Sequence, residues 1–288
     1  MGPSYLETVK NSWGTHVRRK VGIRRRTFRQ LVKQRVACRA QERISQPLHR
    51  RGKKAVKLSL EDKLLLTLVY LRQYDPFDEL GAKCGVCESY ANKIYHQYLD
   101  ILVKILRLPG KKALLDANLN AIVLDVTEQP IERPTKQQRP YYSGKKKRHT
   151  IKAQLIVCLQ TLTILPVVCG KGRLHDFALL KRCTLHILTD LKKYADSGYQ
   201  GMPKLYANRL TPRKGSKHHP LTDEDKQYHR ALAKVRIVIE HVNRRCKIFR
   251  AVKETYRGKH RHDQKVWTVV AALVNLRYVH DISHNDND

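Results

Sequence analysis

The spacing of apolar residues predicts a helical region followed by an α/β region. Between residues 59 and 108, three segments carry apolar residues at helical spacing: SLEDKLLLTLVYLRQ, PFDELGAKC and CESYANKIYHQYLDILVKIL. Ser59 with Asp62 three residues later is a variant of the capping box, and Pro76 breaks the chain before the second helix. The second and third helices, joined through Gly85, predict a helix-turn-helix, with a generic helical hairpin as the alternative.

The third of these helices has one apolar and one polar face near its start. Ala91 and Ile94 are predicted to face the core, and the side chains predicted to face outward are Glu88, Ser89, Tyr90, Asn92 and Lys93. A recognition helix reads base edges through polar residues of its N-terminal part. We therefore take Ser89, Asn92 and Lys93 as candidate DNA contacts.

Beyond the Pro109–Gly110 boundary the pattern predicts alternating strands and helices. Strands are predicted for NAIVLDVTEQPI (120–131), for IKAQLIVCLQ and LTILPVVCGK as a hairpin, and within KLYANRLTPRKG (204–215). The segment YADSGYQG (194–201) is predicted to be a short strand that runs into a glycine loop. Helices are predicted for HDFALLKRCTLHILT (175–189), for a long segment from LTDEDK to CKIFR, in one piece or two, and for QKVWTVVAALVNLRYV. The fold class is therefore α/β, preceded by an all-α domain.

The chain is predicted to have three parts: a basic leader over 1–57, a helix-turn-helix domain over 58–110 and an α/β domain over 111–288. The leader contains the runs HVRRKVGIRRR and HRRGKK, and its segment TFRQLVKQRVACRAQERI (27–44) predicts one helix. Two interpretations stay open for the leader: an arm that contacts phosphates, or a solvated segment without a partner.

Charge indicates the class of partner. The 288 residues include 58 Lys and Arg against 25 Asp and Glu, a formal net charge of +33, which favours nucleic acid. The longest apolar run, LLLTLVYL, is far shorter than the roughly 20 residues of a membrane span, and MGPSYLETVKNSW has no signal-peptide core. We expect an intracellular, soluble protein with no membrane partner.

The lone CxxC at 84–87 has no second ligand pair at zinc-site spacing.

A charged stripe lies on the late helix. Arg236, Glu240 and Lys247 are spaced by four and seven residues, which brings them to one helical face, while apolar residues take the opposite face. Ordinary charge pairs on a solvated face are the alternative.

Three carboxylates come from separate predicted elements. Asp125 is predicted at the end of one strand, Asp196 at the end of another, and Glu240 on the late helix. Such oxygen ligands suit Mg²⁺ or Mn²⁺, and two ions can hold both reacting oxygens of a phosphodiester.

Asp176 is the alternative to Asp196 as the second aspartate of this set, but it starts a predicted helix and is interpreted as a cap or structural acid. Glu128 and Glu132 lie near Asp125 and are left outside the triad.

These motifs, in order, resemble a known family. LDVTEQPIERP, YYSGKKKRHTIKAQLIV, GRLHDFALLK, ADSGYQG and R-x3-E-x6-K resemble the DDE transposases of bacterial insertion sequences, closest to the insertion-sequence-five-like group and more distantly to Harbinger transposases. The resemblance covers roughly residues 20–280, with the helix-turn-helix as the DNA-binding module. It implies an RNase H-like fold with a mixed five-stranded sheet. One departure is Ala233, where the family has a tyrosine.

The resemblance implies the roles of specific residues. The catalytic and metal-binding acids fall on Asp125, Asp196 and Glu240, with two Mg²⁺ or Mn²⁺ ions, and the flanking catalytic cations fall on Arg236 and Lys247. Further DNA contacts are expected in the basic run and on the late helix, at Lys145, Lys146, Lys147, Arg148 and Arg244.

The activity implied is DNA transposition. The protein would bind terminal inverted repeats, hydrolyse a phosphodiester and join the freed end to target DNA. A DNA-binding derivative without catalysis, or a DDE nuclease without strand transfer, are the alternatives. We expect double-stranded DNA as partner, a homodimer or larger assembly on DNA, and a place in the bacterial cytoplasm with the nucleoid.

Overall fold

The computed structural model describes residues 4–12, 15–45, 58–116, 118–182, 191–199, 208–212 and 221–285. Contacts divide the chain into two compact units. The helical unit comprises Met1–Arg107, Ile248–Val252 and Ala272–Asp288, and the α/β unit comprises Leu108–Lys247 and Lys253–Ala271.

The first part of the helical unit contains six described helices. They are α1 (Tyr5–Asn11), α2 (Thr15–Val21), α3 (Arg25–Ser45), α4 (Leu60–Gln73), α5 (Phe77–Cys84) and α6 (Glu88–Ile105). The three helices predicted between residues 59 and 108 are all present. The predicted helix of the basic leader corresponds to α3, but α1 and α2 were not predicted, because each is only 7 residues long.

The ends of α4 and α5 form as their sequences indicate. The Ser59 hydroxyl accepts a hydrogen bond from the backbone N–H of Asp62 at 3.0 Å, and the Asp62 carboxylate accepts one from the backbone N–H of Ser59 at 3.1 Å. The predicted capping box is confirmed. Gly85 ends α5 in the left-handed conformation (φ 69°), which glycine adopts without steric cost.

Aromatic packing joins the three helices of the helix-turn-helix region. The ring of Tyr70 on α4 stacks on Phe77 of α5 with centroids 4.5 Å apart and contacts Tyr95 of α6 at 4.3 Å. Each such pair stabilises the fold by about 0.5–1.5 kcal/mol beyond area burial. Gly81 is needed at the turn, because a Cβ there would lie 2.7 Å from the carbonyl oxygen of Val86. The region therefore has a specific packed core.

The α/β unit contains the described strands β1 (Ala121–Pro130), β2 (Tyr142–Ser143), β3 (Arg148–Cys158), β4 (Ile164–Lys171), β5 (Lys192–Ala195) and β6 (Arg209–Leu210). The helices of this unit are α7 (Asp176–Arg182) and α8 (Asp223–Cys246), and two further helices, α9 (Arg250–Lys253) and α10 (Asp263–Asn285), have residues in both units. The predicted helix 175–189 is described only to Arg182, and its remainder lies outside the described residues.

The strands form one mixed sheet in the order β4-β3-β1-β5-β6, with the two-residue β2 also paired to β3. β1, β3 and β4 are antiparallel neighbours, whereas β5 and β6 run parallel to β1. The expected mixed five-stranded sheet flanked by helices is confirmed. β1 lies at the centre of this order.

One face of the sheet packs into an apolar core formed by strands, α7 and adjoining turns, with buried members Leu114, Ile122, Leu124, Ile156, Cys158, Leu165, Leu180, Leu191, Ala195 and Tyr199. Near the start of α10, the buried Trp267 donates from Nε1 to Oε1 of Gln129 on β1 at 3.1 Å. β1 thus packs into the apolar core and is hydrogen-bonded to α10.

In the part of the chain that the structure describes, no helix is both long and apolar enough to cross a membrane.

Candidate active site

Asp125 and Asp196 are brought side by side by the register of two parallel strands. β1 and β5 are paired through Leu124 and Ala195; Asp125 is the next residue of β1, and Asp196 directly follows the end of β5. The prediction that Asp125 ends its strand is wrong: it is the fifth of ten residues in β1. The pairing of β1 with β5 ends just before Asp125 and Asp196, because the chain enters a 3₁₀ turn after Asp196. β1 itself continues beyond Asp125 and stays paired with β3.

The carboxyl group of Asp125 lies in an unfavourable environment for a negative charge. Its pKa is raised from 3.8 to about 6, first by burial and second by the negative charge of Asp196. Three groups oppose this shift without cancelling it: the backbone N–H of Val126, the side chain of Asn243 and the charge of Arg236. A cation at this position would relieve the repulsion between the two aspartates.

A glycine turn closes one side of the aspartate pair. The backbone N–H of Gly198 donates to Oδ1 of Asp196 at 2.7 Å. A Cβ on Gly198 would lie 2.6 Å from Oδ2 of Asp176 and 3.0 Å from Oδ1 of Asp196. The missing side chain therefore allows the backbone to pass between two carboxylates. Gly201, the second glycine of the segment YADSGYQG, lies outside the described residues.

Asp176 lies beside Asp196 but has its own counter-charge. Nζ of Lys152 lies 2.8 Å from Oδ1 of Asp176 and donates to the carbonyl oxygen of Leu174 at 2.7 Å. Lys152 is buried and also lies 3.9 Å from Glu128. Asp176 is the first residue of α7. This arrangement supports the interpretation of Asp176 as a structural acid.

α8 is attached to the site by a buried amide. Nδ2 of Asn243 donates to Oδ2 of Asp125 at 2.5 Å. Glu240 precedes Asn243 by three residues on α8, and its side chain is exposed. Sequence reasoning missed Asn243, although its i+3 spacing from Glu240 could have indicated it.

Two adjoining cavities contain most of the predicted site residues. The first, of about 820 Å³, is here called the aspartate cavity; its lining includes Asp125, Glu128, Tyr142, Lys145, Lys152, Asp176, Asp196 and Arg236. The second, of about 400 Å³, is called the glutamate cleft; it is lined by Asp125, Val126, Thr127, Glu128, Lys145, Lys146, Glu240, Asn243, Arg244 and Lys247. Asp125 belongs to both cavities.

The charged stripe of α8 is divided between these cavities. Arg236 lines the aspartate cavity, whereas Glu240 and Lys247 line the glutamate cleft. Lys247 is the residue that caps α8 rather than a member of its last turn, because the helix ends at Cys246. The predicted phosphate contacts Lys147 and Arg148 are exposed but line neither cavity.

The candidate base-reading residues lie on α6, in the helical unit. Ser89 and Lys93 are exposed and Asn92 is partly exposed, whereas Ala91 and Ile94 are buried. The predicted division of α6 into a core face and an outward face is confirmed.

The chemistry of the site fits an oxygen-preferring cation, although its ligands are not gathered into a complete set. Among the described residues, no three His, Cys, Asp or Glu side chains are grouped so that they could hold a metal ion. Burial and the repulsion between the two aspartates keep the pKa of Asp125 raised although Arg236 is near, and among the described residues Oδ1 of Asn243 is buried beside it without a hydrogen-bond partner. Carboxylate and amide oxygens are the donors that Mg²⁺ prefers.

Comparison with known proteins identifies the family. A family profile described as DDE superfamily endonuclease matches residues 124–275, and one described as helix-turn-helix of DDE superfamily endonuclease matches residues 56–108. No solved structure matches the chain.

A curated relative agrees with these two matches. The chain is 37% identical over 274 residues to the probable transposase for insertion sequence element IS702 of Microchaete diplosiphon, an alignment that covers 94% of this chain and 97% of that protein. The chain therefore belongs to the DDE superfamily of endonucleases, in the group of insertion-sequence transposases that carry a helix-turn-helix.

Proposed function

We propose that this protein binds the terminal inverted repeats of its own element, hydrolyses a phosphodiester bond to free a 3′-hydroxyl and joins that end to target DNA. The observation that carries the proposal is the position of Asp125 and Asp196, each directly after the paired residues Leu124 and Ala195, with α8 and its Glu240 attached to Asp125 through Asn243. A half-buried aspartate pair, a glutamate on the helix bonded to it and surrounding cations are what phosphodiester chemistry requires.

Membership of the superfamily implies a requirement for a divalent metal. We propose that Asp125, Asp196 and Glu240 hold two Mg²⁺ or Mn²⁺ ions. Bound ions of this kind activate the attacking oxygen and stabilise the leaving oxygen of a phosphodiester. The repulsion between Asp125 and Asp196 favours cation binding, and the exposed side chain of Glu240 is able to change rotamer to complete the ligand set.

The cations around the two cavities are assigned to the DNA backbone. Arg236 lines the aspartate cavity, and the cations that line the glutamate cleft are Lys145, Lys146, Arg244 and Lys247. These side chains place positive charge beside the acids, which is where a scissile phosphate must approach. Lys147 in the same turn and Arg148, the first residue of β3, extend this surface.

The two parts of the chain divide the work. Residues 58–110 recognise DNA, with Ser89, Asn92 and Lys93 of α6 reading base edges in the major groove, and residues 111–288 cut and join it. The two ends of an element must be held together, so we infer a homodimer or larger assembly on DNA. We place the protein in the bacterial cytoplasm with the nucleoid, where its substrate lies.

The proposal is tested with the full chain, a plasmid that carries the flanking ends of the element, a second target plasmid and Mg²⁺ or Mn²⁺. We expect cleavage at the element ends and covalent joining of those ends to the target. The control is Asp125→Asn, which should bind the ends without cutting them. Cutting without joining would identify a nuclease without strand transfer, and binding without cutting by the wild type would identify an inactive DNA-binding derivative.

Recognition is tested separately. Replacing Asn92 and Lys93 with Ala should weaken binding to the element ends, because each good base contact is worth about 1–3 kcal/mol, and should preserve binding to random-sequence DNA. Equal loss for both duplexes would show that these residues contact phosphates instead of bases.

A further inference from the structure

α3 carries an exposed stripe of three cations, Arg26, Arg29 and Lys33, here called the basic face. We propose that the basic face binds the phosphate backbone of duplex DNA as a second contact, separate from the helix-turn-helix. The family match for the helix-turn-helix begins at residue 56, so α3 lies outside it. The inference takes duplex DNA as partner from the proposed function.

The charge of this segment is entirely positive. Residues 18–33 contain eight Lys and Arg and no Asp or Glu. The first turn of α3 has no acidic residue. Cations at a helix N-terminus are opposed by the helix dipole, and cations close in sequence repel each other. Positive charge concentrated where the helix dipole and mutual repulsion disfavour it indicates a surface that binds a polyanion.

The basic face points away from the core. At about 100° per residue, Arg26, Arg29 and Lys33 fall within roughly 60° of one another. Phe28 and Leu31 lie on the opposite side and are 5% and 1% exposed. The three cations therefore face outward from a helix whose other side is packed.

The length of the basic face matches a stretch of duplex DNA. Seven residues of helix span about 10 Å from Arg26 to Lys33. One DNA strand carries a phosphate about every 3.4 Å along the axis, so roughly three phosphates lie within that length. Within the described residues, Arg29 and Lys33 form no ion pair. Glu7 and Glu61 line a cavity beside Arg29 without pairing with it.

α3 is fixed to the proposed recognition helix by a buried arginine. Arg35 is 6% exposed, pairs with Glu42 at 3.2 Å and lies over the ring of Tyr98 on α6, 5.8 Å from its centroid. All three residues belong to the helical unit. The basic face therefore keeps a constant position relative to α6.

The test is the salt dependence of binding by the full chain to a labelled duplex of random sequence. Each phosphate that the protein no longer neutralises makes the slope of log K against log[NaCl] shallower by about 0.9. The variant Arg29→Gln with Lys33→Gln should therefore lower the slope by about 1.8. The matched control, Lys104→Gln with Arg107→Gln, removes the same charge from exposed positions of the same unit and should leave the slope nearly unchanged.

A charge-conserving variant separates charge from structure. Arg29→Lys with Lys33→Arg should keep the wild-type slope, and circular dichroism should show the same helix content in all variants. An unchanged slope in the glutamine variant, or an equal fall in the control, would overturn the proposal. Absence of preference for element ends in the wild type would instead count against the proposed function, because random-sequence binding does not depend on it.

Discussion

The side-chain amide of Asn243 on α8 donates a 2.5 Å hydrogen bond to the carboxylate of Asp125 on β1. This bond joins the helix that carries Glu240 to the strand that carries the first aspartate. It also occupies one oxygen of Asp125 and thereby orients the other.

Replacing Asn243 with Ala should lower cleavage by about 10–100-fold and raise the metal concentration needed for half-maximal activity, because groups that orient metal ligands have effects of that size. Mn²⁺ binding measured by electron paramagnetic resonance provides a readout independent of cleavage. His241→Ala, at an exposed position of the same helix, is the control. If the Asn243→Ala variant kept its metal affinity and lost only thermal stability, Asn243 would contribute to packing and not to metal binding.

Asp125→Asn should stabilise the protein at neutral pH. The pKa of Asp125 is about 6 in the folded protein against an ordinary 3.8, so the folded state binds its proton more tightly and loses stability as the pH rises between these values. Removing the charge should add about 1–3 kcal/mol at pH above 6, with the gain vanishing below pH of about 4. Urea unfolding at both pH values, without metal, measures this.

Asp263 supplies an internal comparison for that experiment. Burial raises its pKa to about 6 as well, so it contributes to the wild-type pH dependence in the same direction. The Asp125→Asn variant should therefore keep part of the pH dependence, and only the variant lacking both acids should lose most of it. A neutral-pH stability below that of the wild type in Asp125→Asn would contradict the electrostatic account.

Replacing Lys152 with Met should destabilise the α/β unit by roughly 3 kcal/mol, because removing one partner of a buried ion pair leaves the other charge uncompensated. The remaining Asp176 would face Asp196 without a counter-charge. Adding Asp176→Asn should restore much of the loss. A double-mutant cycle measures this by thermal unfolding of the wild type, the two single variants and the double variant. Strictly additive losses of stability would show that Lys152 and Asp176 are not coupled.

Gly81→Ala should impair sequence-specific DNA binding more than catalysis. A Cβ at this position would lie 2.7 Å from the carbonyl oxygen of Val86, so the turn between α5 and α6 must shift. Binding to element ends should weaken, whereas cleavage of a substrate at saturating protein should be retained. Ala82→Ser, at the exposed neighbouring position, should leave both unchanged.

Local sequence signals predicted the elements well because they act over a few residues. The capping box at Ser59 and Asp62 and the glycine that ends α5 are determined within one turn of helix. The apolar runs that became β1, β3 and β4 are long enough to show their strand character. Short elements were missed: α1 and α2 have too few residues for a clear period, and β2 is only two residues long.

The details of the site depend on contacts between distant segments, which periodicity does not report. The prediction for Asp125 failed because the end of a parallel pairing need not be the end of a strand. Lys152 belongs to the predicted strand IKAQLIVCLQ, and its pairing with Asp176, 24 residues further along the chain, has no signal in that pattern. Asn243 and Asp125 are separated by 118 residues. Only the folded chain shows these partners.

The central claim is that Asp196, and not its neighbour Asp176, completes the aspartate pair that cuts DNA. The most direct measurement compares Asp196→Asn and Asp176→Asn for Mn²⁺-dependent nicking at the element ends, with end binding measured in parallel. We predict that both variants bind, that Asp196→Asn produces no detectable nick, and that Asp176→Asn still cuts. Cleavage by Asp196→Asn together with its loss in Asp176→Asn would contradict the account.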